Sequence, residues 1–329
     1  MSMRPSAAPA SGASRAELEQ FASDVEYYLT LTPKQLPSQY LYDALGSALF
    51  DAICELPWYR ITQTEMNLLA RRGHEIFARV HPVGTLVELG PGSGEKLATL
   101  IEAGRGSRRR LDVHLVDVSP TALARAARAI SSLDAVTVVA HQAEYEAGLV
   151  EAVAGSRGAG RRLTLFLGSN IGNFDPPGAD AFLRSLRGSL DTGDALLIGT
   201  DLVKPEADLL LAYDDPLGVT AAFNRNLLVR INRDLAANFD VSQFHHRAVW
   251  NEAESRVEMH LVAGTEQRVR IGAASVELTF TAGETIWTES SYKYRPEGVA
   301  GMLERAGFRL MMQWTDEAGG FALTLVEAS

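Results

Sequence analysis

A glycine-rich turn behind a short apolar segment is the clearest candidate for chemistry in this chain. Leu86 to Leu89 predict a strand, Glu88 is the acidic residue within it, and Gly90-Pro91-Gly92-Ser93-Gly94 follows directly. A sharp turn of this kind leaves backbone N–H groups uncovered at the start of the next helix, where a ligand can approach closely. The spacing is Gly-x-Gly-x-Gly, which differs from the Gly-x-Gly-x-x-Gly of dinucleotide-binding turns. These residues therefore predict a small-molecule site at the end of a strand.

An acidic residue, Asp117, ends the second predicted strand. The glycine turn together with Glu88 resembles S-adenosylmethionine-dependent methyltransferases. At the position of Asp117, an acidic side chain can accept hydrogen bonds from both hydroxyls of a ribose. Glu144 and Tyr145, just past the third strand, would then hold the adenine. The alternative for Asp117 is an ordinary turn residue at the end of a strand.

A second polar stretch follows the fourth predicted strand. Residues 166–174, Phe-Leu-Gly-Ser-Asn-Ile-Gly-Asn-Phe, place glycines and the amide of Asn173 beside the expected sulfonium. The next residues, Asp175-Pro176-Pro177, resemble the Asp-Pro-Pro-aromatic signature of amino-methyltransferases that act on flipped bases. Gly178 stands where the stacking aromatic should be, so we interpret this segment as the proline-capped start of a helix over 178–190. A nucleic-acid base is the least favoured methyl acceptor.

Motifs spread over nearly the whole chain agree with one family. They are Gly168 to Asn173, Ala212 to Asp215, Gly218 to Asn226, Thr288 to Lys293, Tyr42-Asp43, Gly46-Ser47, Leu49-Phe50 and Tyr59. Taken together they resemble the histidine-specific Nα-methyltransferases of ergothioneine biosynthesis. The resemblance implies trimethylation of the α-amino group of L-histidine to hercynine, with S-adenosylmethionine as the cofactor.

The resemblance also implies roles for individual residues. Histidine, or a partly methylated form of it, would bind with its carboxylate on Asn173 and Tyr213, its imidazole on Glu289, Ser291 and Met259, and its amino group near Tyr42 and Tyr59. The cofactor would bind to Glu88, Gly90, Gly92, Gly94, Lys96, Asp117, Glu144, Tyr145 and Gly168.

The chemistry of the implied substrate residues is compatible with these roles. Glu289 and Ser291 are two apart on a predicted strand, so their side chains share a face and can bond the two imidazole nitrogens. An exposed polar strand face is the alternative, and Met259 taken alone is more typical of a packed core. Transfer to nitrogen needs a free lone pair, so a proton must leave the amine first. Our hypothesis is that Tyr42 or water accepts it, with desolvation lowering the pKa of the amine.

The elements that position these residues begin after Pro82, where apolar segments alternate with helix patterns. The predicted strands are Leu86 to Leu89, Val113 to Val116, Val136 to Val139, Leu163 to Leu167 and Ala195 to Ile198. Predicted helices cover 95–103, 120–132 and 178–190, the second with Ser119 as its cap. Continuous apolar segments of this length are typical of parallel strands buried on both faces. The fold class expected is therefore α/β, with a doubly wound Rossmann-like methyltransferase sheet.

The pattern of predicted elements changes over about 202–291, and this change divides the chain. An amphipathic helix over 219–235 and alternating strands at 257–261 and 276–280 interrupt the α/β pattern, which returns with a helix over 296–306 and a strand over 322–326. We predict an S-adenosylmethionine-binding methyltransferase domain over 62–201 and 292–329. A discontinuous α+β substrate-binding domain would cover 17–61 and 202–291, after a disordered tail over 1–16. Thr62-Gln63-Thr64-Glu65 is typical of a capping box that opens a helix.

Composition limits the alternatives. The chain has 329 residues with 31 Lys+Arg and 41 Asp+Glu, and a net charge of −10 disfavours nucleic acid as a partner. No apolar segment reaches the ~18 residues of a membrane span and the opening residues lack an apolar region, so we expect a cytoplasmic protein. Separately, we expect a monomer. We interpret Cys54 as a buried packing residue. The pair His245-His246 is more typical of a solvated strand than of a metal site, and no metal is expected.

Two other functions stay open at this point. The same N-methylation could act on another free amino acid such as tryptophan. The chain could also be a cofactor-binding regulator that has lost catalysis, although the matching residues at 42, 173, 213, 259, 289 and 291 argue against that loss.

Overall fold

The computed structural model describes residues 14–104, 110–156 and 160–329. Its helices are α1 (Arg15–Thr30), α2 (Ala44–Cys54), α3 (Ile61–Val80), α4 (Glu95–Gly104), α5 (Pro120–Ser131), α6 (Tyr145–Gly155), α7 (Pro176–Ser189), α8 (Glu206–Tyr213), α9 (Val219–Asp234) and α10 (Pro296–Arg305). Its strands are β1 (Lys34–Gln35), β2 (Val83–Leu89), β3 (Leu111–Asp117), β4 (Val136–Gln142), β5 (Arg161–Phe166), β6 (Ala195–Asp201), β7 (Phe244–Asn251), β8 (Arg256–Ala263), β9 (Gln267–Ile271), β10 (Val276–Phe280), β11 (Thr285–Tyr292), β12 (Phe308–Thr315) and β13 (Phe321–Ala328). Short 3₁₀ turns lie at Ser38–Leu41, Asn170–Asn173 and Val241–Gln243.

These elements form two compact units. Unit 1 runs up to Tyr59 and resumes over Pro205–Ser290, and unit 2 covers Arg60–Lys204 and Ser291–Ser329. Each unit is therefore discontinuous in sequence. The assignment of substrate binding to the first and of cofactor binding to the second stays a prediction.

Unit 2 is built on a seven-stranded sheet with the order β12-β13-β6-β5-β2-β3-β4. The strands from β6 to β4 are parallel, and β13 pairs antiparallel with both β6 and β12. Helices alternate with the parallel strands along the chain, so the predicted doubly wound α/β class is confirmed. The strand order reverses at β2, which has β3 on one side and β5 on the other. In sheets of this kind, ligands bind beyond the carboxyl ends of the strands at such a reversal.

The central strands carry the core of unit 2. Every residue of β2 and of β6 is buried, as continuous apolar segments predict. β4 is different, because it is an edge strand on which no residue is fully buried and Val139 is 39% exposed. The prediction that Val136 to Val139 are buried on both faces was therefore wrong. The outermost strand of a sheet is covered less completely than the strands between its edges.

Side chains cap the starts of α5 and α7. Ser119 Oγ accepts a hydrogen bond from the N–H of Ala122 at 3.2 Å, with Pro120 at the first position of α5. Asp175 Oδ1 accepts one from the N–H of Gly178 at 2.9 Å at the start of α7. The first bond confirms Ser119 as the predicted cap; the second shows that Asp175 caps α7, which begins at Pro176, two residues before the predicted start at 178. In both, a side-chain oxygen satisfies a helix N–H that has no partner within the helix. They also support the interpretation of Asp175-Pro176-Pro177 as a helix start.

The helix start predicted at Thr62 was wrong. α3 begins at Ile61, one residue after Arg60, and no side chain caps it. Glu65 therefore does not close a capping box. Its carboxylate is fully buried and bonds instead to groups far away in the sequence.

Unit 1 combines helices with a mixed sheet of order β1-β11-β8-β7 and a two-stranded antiparallel hairpin, β9 with β10. Buried and half-buried residues alternate along β8, as predicted for Val257-Met259-Leu261. The rings of Phe239, Phe244 and Phe280 pack with centroids 5.5 to 5.8 Å apart and form part of the core.

The first helix begins inside the predicted tail. Residues 1–13 of that tail lie outside the described residues, whereas α1 begins at Arg15. Ser14 Oγ accepts a hydrogen bond from the N–H of Glu17 at 3.3 Å, and the Glu17 carboxylate accepts one from the N–H of Ser14 at 2.6 Å. Because this reciprocal capping box fixes the helix start, the tail prediction was wrong for Arg15 and Ala16.

Two smaller expectations concern Cys54 and the membrane. Cys54 ends α2 and is half-buried, so its interpretation as a fully buried residue was wrong. In the parts of the chain that the structure describes, no helix is both long and apolar enough to cross a membrane.

Candidate active site

The glycine turn between β2 and α4 adopts backbone angles that require glycine. Gly90, Gly92 and Gly94 have φ values of 74°, 55° and 83°, which residues with a Cβ rarely adopt. A Cβ on Gly94 would lie 2.8 Å from the Cα of Ala126, so this glycine also allows α4 and α5 to approach each other. A Cβ on Gly90 would lie 3.0 Å from the hydroxyl oxygen of Tyr145. Tyr145 therefore lies beside the turn.

Glu88 is a buried carboxyl group with an unused hydrogen-bonding atom. It is 1% exposed near the end of β2, and its Oε2 has no hydrogen-bond partner among the described residues. Burial raises the pKa of Glu88 to about 8, a shift that Lys96 opposes and that the charges of Glu65 and Asp117 reinforce. A buried acceptor of this kind suits a ligand that brings a positive charge or an N–H donor. S-adenosylmethionine carries both, so the residues present fit the cofactor expected here.

Glu65 is a candidate residue that the sequence analysis missed. Its carboxylate accepts hydrogen bonds from the backbone N–H of Gly168 at 2.8 and 3.0 Å. Its Oε2 lies 2.6 Å from Nζ of Lys96. A Cβ on Gly199 in β6 would collide with this carboxylate, so the glycine leaves room for it. Glu65 therefore joins two predicted cofactor residues, Lys96 and Gly168, from different elements of unit 2.

The other predicted cofactor residues lie at the ends of β3 and β4. Asp117 ends β3, where its Oδ1 accepts a hydrogen bond from the N–H of Ser119 at 2.8 Å and burial raises its pKa. Glu144 is exposed directly before α6. Tyr145 begins α6 with its ring centroid 5.4 Å from that of Phe166, and burial raises the pKa of its hydroxyl. Because β2, β3 and β4 are parallel, these residues share the edge of the sheet that carries the glycine turn.

The predicted acceptor segment forms the 3₁₀ turn after β5, and Asn173 is exposed at its end. Ser169, directly before the turn, has a φ of 58°, which is uncommon for a residue with a Cβ. Its Oγ accepts a hydrogen bond from the N–H of Asp201 at 2.9 Å. A Cβ on Gly172 would lie 2.8 Å from the carbonyl oxygen of Tyr292. Close packing and a buried hydrogen bond therefore fix the turn that carries Asn173.

Buried charges surround Ser291. This residue is 6% exposed, and its Oγ accepts a hydrogen bond from Nζ of Lys293 at 2.8 Å. The Lys293 side chain is fully buried and lies 3.0 Å from Oδ2 of Asp201, whose side chain is 1% exposed. Lys204 lies 2.5 Å from the other oxygen of the same carboxylate. Ser291 was a predicted substrate residue, whereas Lys293 was only part of the quoted motif and Asp201 was not predicted.

Three predicted substrate residues of unit 1 belong to one aromatic cluster. Tyr42 packs edge-on against Phe50 and Phe223, with centroids 5.5 and 5.4 Å away. Tyr59 lies 6.2 Å from Phe50 and 6.1 Å from Tyr213. Tyr59 and Tyr213 are buried, whereas Tyr42 is 37% exposed. The structure thus brings together tyrosines from three separate stretches of the sequence, and Tyr42 is the most accessible of them.

His246 holds the backbone of Tyr213. Its Nε2 lies 2.8 Å from the carbonyl oxygen of Tyr213, and its Nδ1 lies 2.9 Å from Nδ2 of Asn224. The amide of Asn224 donates, so Nδ1 accepts and Nε2 carries the hydrogen. Burial lowers the pKa of His246, whose side chain is 1% exposed. The expectation of a solvated pair holds for the exposed His245 and was wrong for His246.

The remaining predicted substrate residues lie on neighbouring strands. Met259 is 2% exposed on β8, and its carbonyl oxygen accepts a hydrogen bond from the Thr288 hydroxyl at 3.0 Å. Glu289 is half-buried on β11, and its carbonyl oxygen accepts one from the indole N–H of Trp287 at 3.0 Å. These bonds fix the backbone around both residues. Among the described side chains, no group of three or more His, Cys, Asp or Glu could hold a metal ion.

Comparison with known proteins places this geometry in context. A family model described as histidine-specific methyltransferase, SAM-dependent, matches residues 21–328. Histidine N-alpha-methyltransferase of Mycobacterium tuberculosis is 48% identical over 305 residues, which cover 92% of this chain and 93% of that protein. The protein of the same name from Mycolicibacterium smegmatis is 45% identical over 315 residues, covering 93% and 94%. Ergothioneine biosynthesis protein 1 of Schizosaccharomyces pombe is 28% identical over 89% of this chain, which corresponds to 39% of that longer protein.

Proposed function

Since the chain belongs to the family of histidine-specific, S-adenosylmethionine-dependent methyltransferases, we propose that it methylates the α-amino group of L-histidine. Three successive transfers would give hercynine, the trimethylated product, and three molecules of S-adenosylhomocysteine. The observation that carries this proposal is the similarity to two histidine N-alpha-methyltransferases over more than nine tenths of this chain. The similarity to an ergothioneine biosynthesis protein supports the same pathway.

Unit 2 binds the cofactor in this proposal. S-adenosylmethionine supplies a methyl group activated by the positive sulfur to which it is bonded. Asp117 binds the ribose, and Glu144 and Tyr145 hold the adenine. The amino-acid end of the cofactor is held by the residues at the ends of β2 and β5, namely Glu88, Gly90, Gly92, Gly94, Lys96 and Gly168. Two observations support this arrangement: Glu88 Oε2 has no hydrogen-bond partner among the described residues, and Lys96 forms an ion pair with Glu65.

The substrate residues act through hydrogen bonds and shape. Asn173 and Tyr213 donate to the carboxylate of histidine, and Tyr59 lies near its amino group. Glu289 and Ser291 bond the two ring nitrogens, while Met259 lines the ring. The ring packing of Tyr59 on Phe50 and Tyr213 supports the proposal, because a side chain held by packing loses little further entropy when it binds a ligand.

Either Tyr42 accepts the proton that leaves the amine while its own hydroxyl proton passes to water, or a water accepts the proton directly. An α-amino group is mostly protonated at neutral pH, so each transfer requires a lone pair to be freed. The ring of Tyr42 packs against Phe50 and Phe223, and the residue is 37% exposed, which supports this role. Positioning of the amine and removal of water around it supply the rest of the acceleration.

The decisive experiment is mass spectrometry of products after incubation of the purified protein with S-adenosylmethionine and single free amino acids. Histidine should gain three methyl groups, and tryptophan should gain none. Methylation of another amino acid in place of histidine would keep the cofactor site and overturn the roles of Glu289, Ser291 and Met259. Cofactor binding without any methylated product would favour a regulator.

Replacement of Glu289 tests the proposed ring pocket. In Glu289→Ala the imidazole loses its charged acceptor, so kcat/KM for histidine should fall by up to ~10⁴-fold. The affinity for S-adenosylhomocysteine, measured by calorimetry, should stay unchanged. The exposed Glu297→Ala variant on α10 is the matched control and should behave as the parent protein. Unchanged histidine kinetics in Glu289→Ala would contradict the pocket.

A further inference from the structure

Asn170 is a polar residue of unit 2 that the proposed function leaves unused. A Cβ on Gly90 would lie 3.2 Å from its Nδ2, and a Cβ on Gly168 would lie 3.6 Å from its Oδ1. Gly90 follows β2 directly and Gly168 follows shortly after β5, and these two strands are parallel neighbours. The side chain of Asn170 therefore lies between the ends of β2 and β5, on one side of the point where the strand order reverses.

The amide of Asn170 is available to a ligand. The residue is half-buried, and its side chain forms no hydrogen bond with the residues that the structure describes. A primary amide carries two N–H donors and an oxygen with two lone pairs. Polar groups with little exposure are normally hydrogen-bonded, so an amide that the chain leaves unpaired is matched by water or by a ligand.

The backbone on both sides of Asn170 is held in place. Ser169, one residue earlier, is 5% exposed, and its Oγ accepts a hydrogen bond from the N–H of Asp201 at 2.9 Å. The carbonyl oxygen of Ser169 accepts a second one from the N–H of Gly172 at 2.9 Å. Ile171, one residue later, is fully buried in the core of unit 2. A polar group carried by a fixed backbone loses less entropy when it binds a ligand.

The charged groups near Asn170 suit a ligand with an amino-acid end. Nζ of Lys96 would lie 3.2 Å from a Cβ on Gly168, the same glycine that Asn170 approaches. Glu88, near the end of β2, has a buried Oε2 without a hydrogen-bond partner in the described chain. An amino-acid group brings a carboxylate, which binds to donors, and an ammonium, which binds to acceptors. Both kinds of group are present here.

We propose that Asn170 is a further cofactor-binding residue, whose amide bonds the amino-acid end of S-adenosylmethionine. This inference rests on the proposed function, in which residues at the ends of β2 and β5 hold that end. The sheet order supports the choice of end, because Asp117, Glu144 and Tyr145 lie at the ends of β3 and β4, on the other side of β2. The amide donates to the carboxylate or accepts from the ammonium, since a half-turn about its last torsion exchanges its two atoms.

The test is calorimetric binding of two ligands to the full chain. S-adenosylhomocysteine contains the amino-acid end, whereas methylthioadenosine has a methyl group in its place and keeps the adenine, the ribose and the sulfur. In Asn170→Ala, the Kd of S-adenosylhomocysteine should rise about 10- to 100-fold, the loss expected for a hydrogen bond to a charged group. The Kd of methylthioadenosine should change less than about two-fold, because the contacts of the adenosine half are kept.

Two further variants separate the hydrogen bond from other effects of the substitution. Asn170→Leu keeps a side chain of similar size and removes both hydrogen-bonding atoms, so it should weaken S-adenosylhomocysteine binding as much as Asn170→Ala does. Asn67→Ala removes an exposed asparagine on α3 and should bind both ligands as the parent protein does. Binding of methylthioadenosine with the parent affinity also shows that unit 2 of a variant is folded.

The outcomes separate this inference from the proposed function. A parent-like Kd of S-adenosylhomocysteine in Asn170→Ala, or recovery of the parent affinity in Asn170→Leu, would show that the amide does not bind the cofactor. Equal losses for both ligands would mean that Asn170 supports the fold, which also overturns the inference. If the parent protein binds S-adenosylhomocysteine but does not methylate histidine, the proposed function is wrong, and the selective loss in Asn170→Ala would still establish the role of Asn170.

Discussion

At the scale of single residues, the chemistry of unit 2 depends on buried charges that are paired. Glu65 with Lys96 and Asp201 with Lys293 each combine a carboxylate and an ammonium at 2.6 to 3.0 Å. Removing one partner of such a pair leaves the other charge buried without its counter-charge, which costs several kcal/mol. These residues are therefore constrained both by folding and by the groups they hold.

Glu65→Gln should lower the free energy of unfolding by about 1–3 kcal/mol. The amide can still accept from the N–H of Gly168, but Lys96 loses this negative partner. The Lys96 side chain is 22% exposed, so its partial hydration limits the loss of stability. Urea denaturation measures the change. The exposed Glu95→Gln, next to Lys96 on α4, should change stability by less than about 1 kcal/mol. Equal losses in both variants would contradict the role of Glu65.

Tyr42→Phe should lower kcat for histidine by about 10²- to 10⁴-fold near neutral pH, the range typical of lost general base catalysis. The ring and its packing on Phe50 and Phe223 are kept, so cofactor affinity should not change. Steady-state kinetics over a range of pH checks the prediction, and the activity of the variant should recover in part as the pH rises and the amine deprotonates in solution. A turnover that equals that of the parent protein at every pH would remove Tyr42 from this role.

At the scale of elements, close approach between helices brings Glu65 and the predicted cofactor residue Lys96 together. α3 carries Glu65, and α4 carries Lys96 directly after the glycine turn. These helices cross at Gly73, where an added Cβ would lie 2.6 Å from the Cβ of Ala103. The crossing thus depends on the absence of a side chain and supports the geometry of the Glu65–Lys96 pair.

Gly73→Ala should destabilise unit 2 although alanine favours helices. Forcing the two helices apart costs about 1–3 kcal/mol, and the gain in helix propensity returns only about 1 kcal/mol. Gly301→Ala in the middle of α10 is the control, because its new Cβ would meet only the flexible end of Arg305 at 3.6 Å. That variant should be more stable by about 0.5–1 kcal/mol. Thermal unfolding shows whether each substitution lowers or raises the stability of the protein. A stabilised Gly73→Ala would mean that α3 and α4 can move apart at little cost.

At the scale of the whole molecule, buried histidines link stability to pH. Burial lowers the pKa values of His114, His246 and His260. The unfolded chain takes up protons on these rings near pH 6.5, whereas the folded chain does so only at lower pH, so acidification favours unfolding. Acidification has the opposite effect on stability through Glu88, because the pKa of Glu88 in the folded chain, about 8, lies above its value in the unfolded chain. Between pH 7 and pH 5.5 the three histidines therefore lower the free energy of unfolding, whereas Glu88 and Asp117, whose pKa values burial raises, act in the opposite direction.

Replacement of one histidine isolates this effect. In His246→Gln, the loss of stability between pH 7 and pH 5.5 should be smaller than in the parent protein by about 1 kcal/mol, since one proton contributes up to ~1.4 kcal/mol per pH unit. His245→Gln changes the exposed neighbour on the same strand and should keep the pH dependence of the parent. Urea denaturation at each pH checks both variants. Identical slopes in all three proteins would contradict the proposed linkage.

Much of the local structure followed from the sequence. Ser119-Pro120 and Asp175-Pro176 predicted helix starts, because capping involves residues within one turn of each other. The continuous apolar segments predicted the parallel strands of the central sheet. The helix α6 and the strand β12 were missed, and in β12 most side chains are exposed or half-buried, so no apolar period marks it.

The sequence by itself therefore determined the fold class, the glycine turn, the acid at the end of β3 and the family, all of which are encoded in short contiguous segments. Only the tertiary structure decided the bonding partners of Glu65, Asp201 and Lys293, and the burial of the His246 side chain. Glu65 accepts a hydrogen bond from Gly168, which is 103 residues away in the sequence. No short sequence pattern can predict a contact between residues so far apart. A charged residue on the apolar stripe of α3 was the one available signal, since burial of a charge requires a partner that only folding supplies.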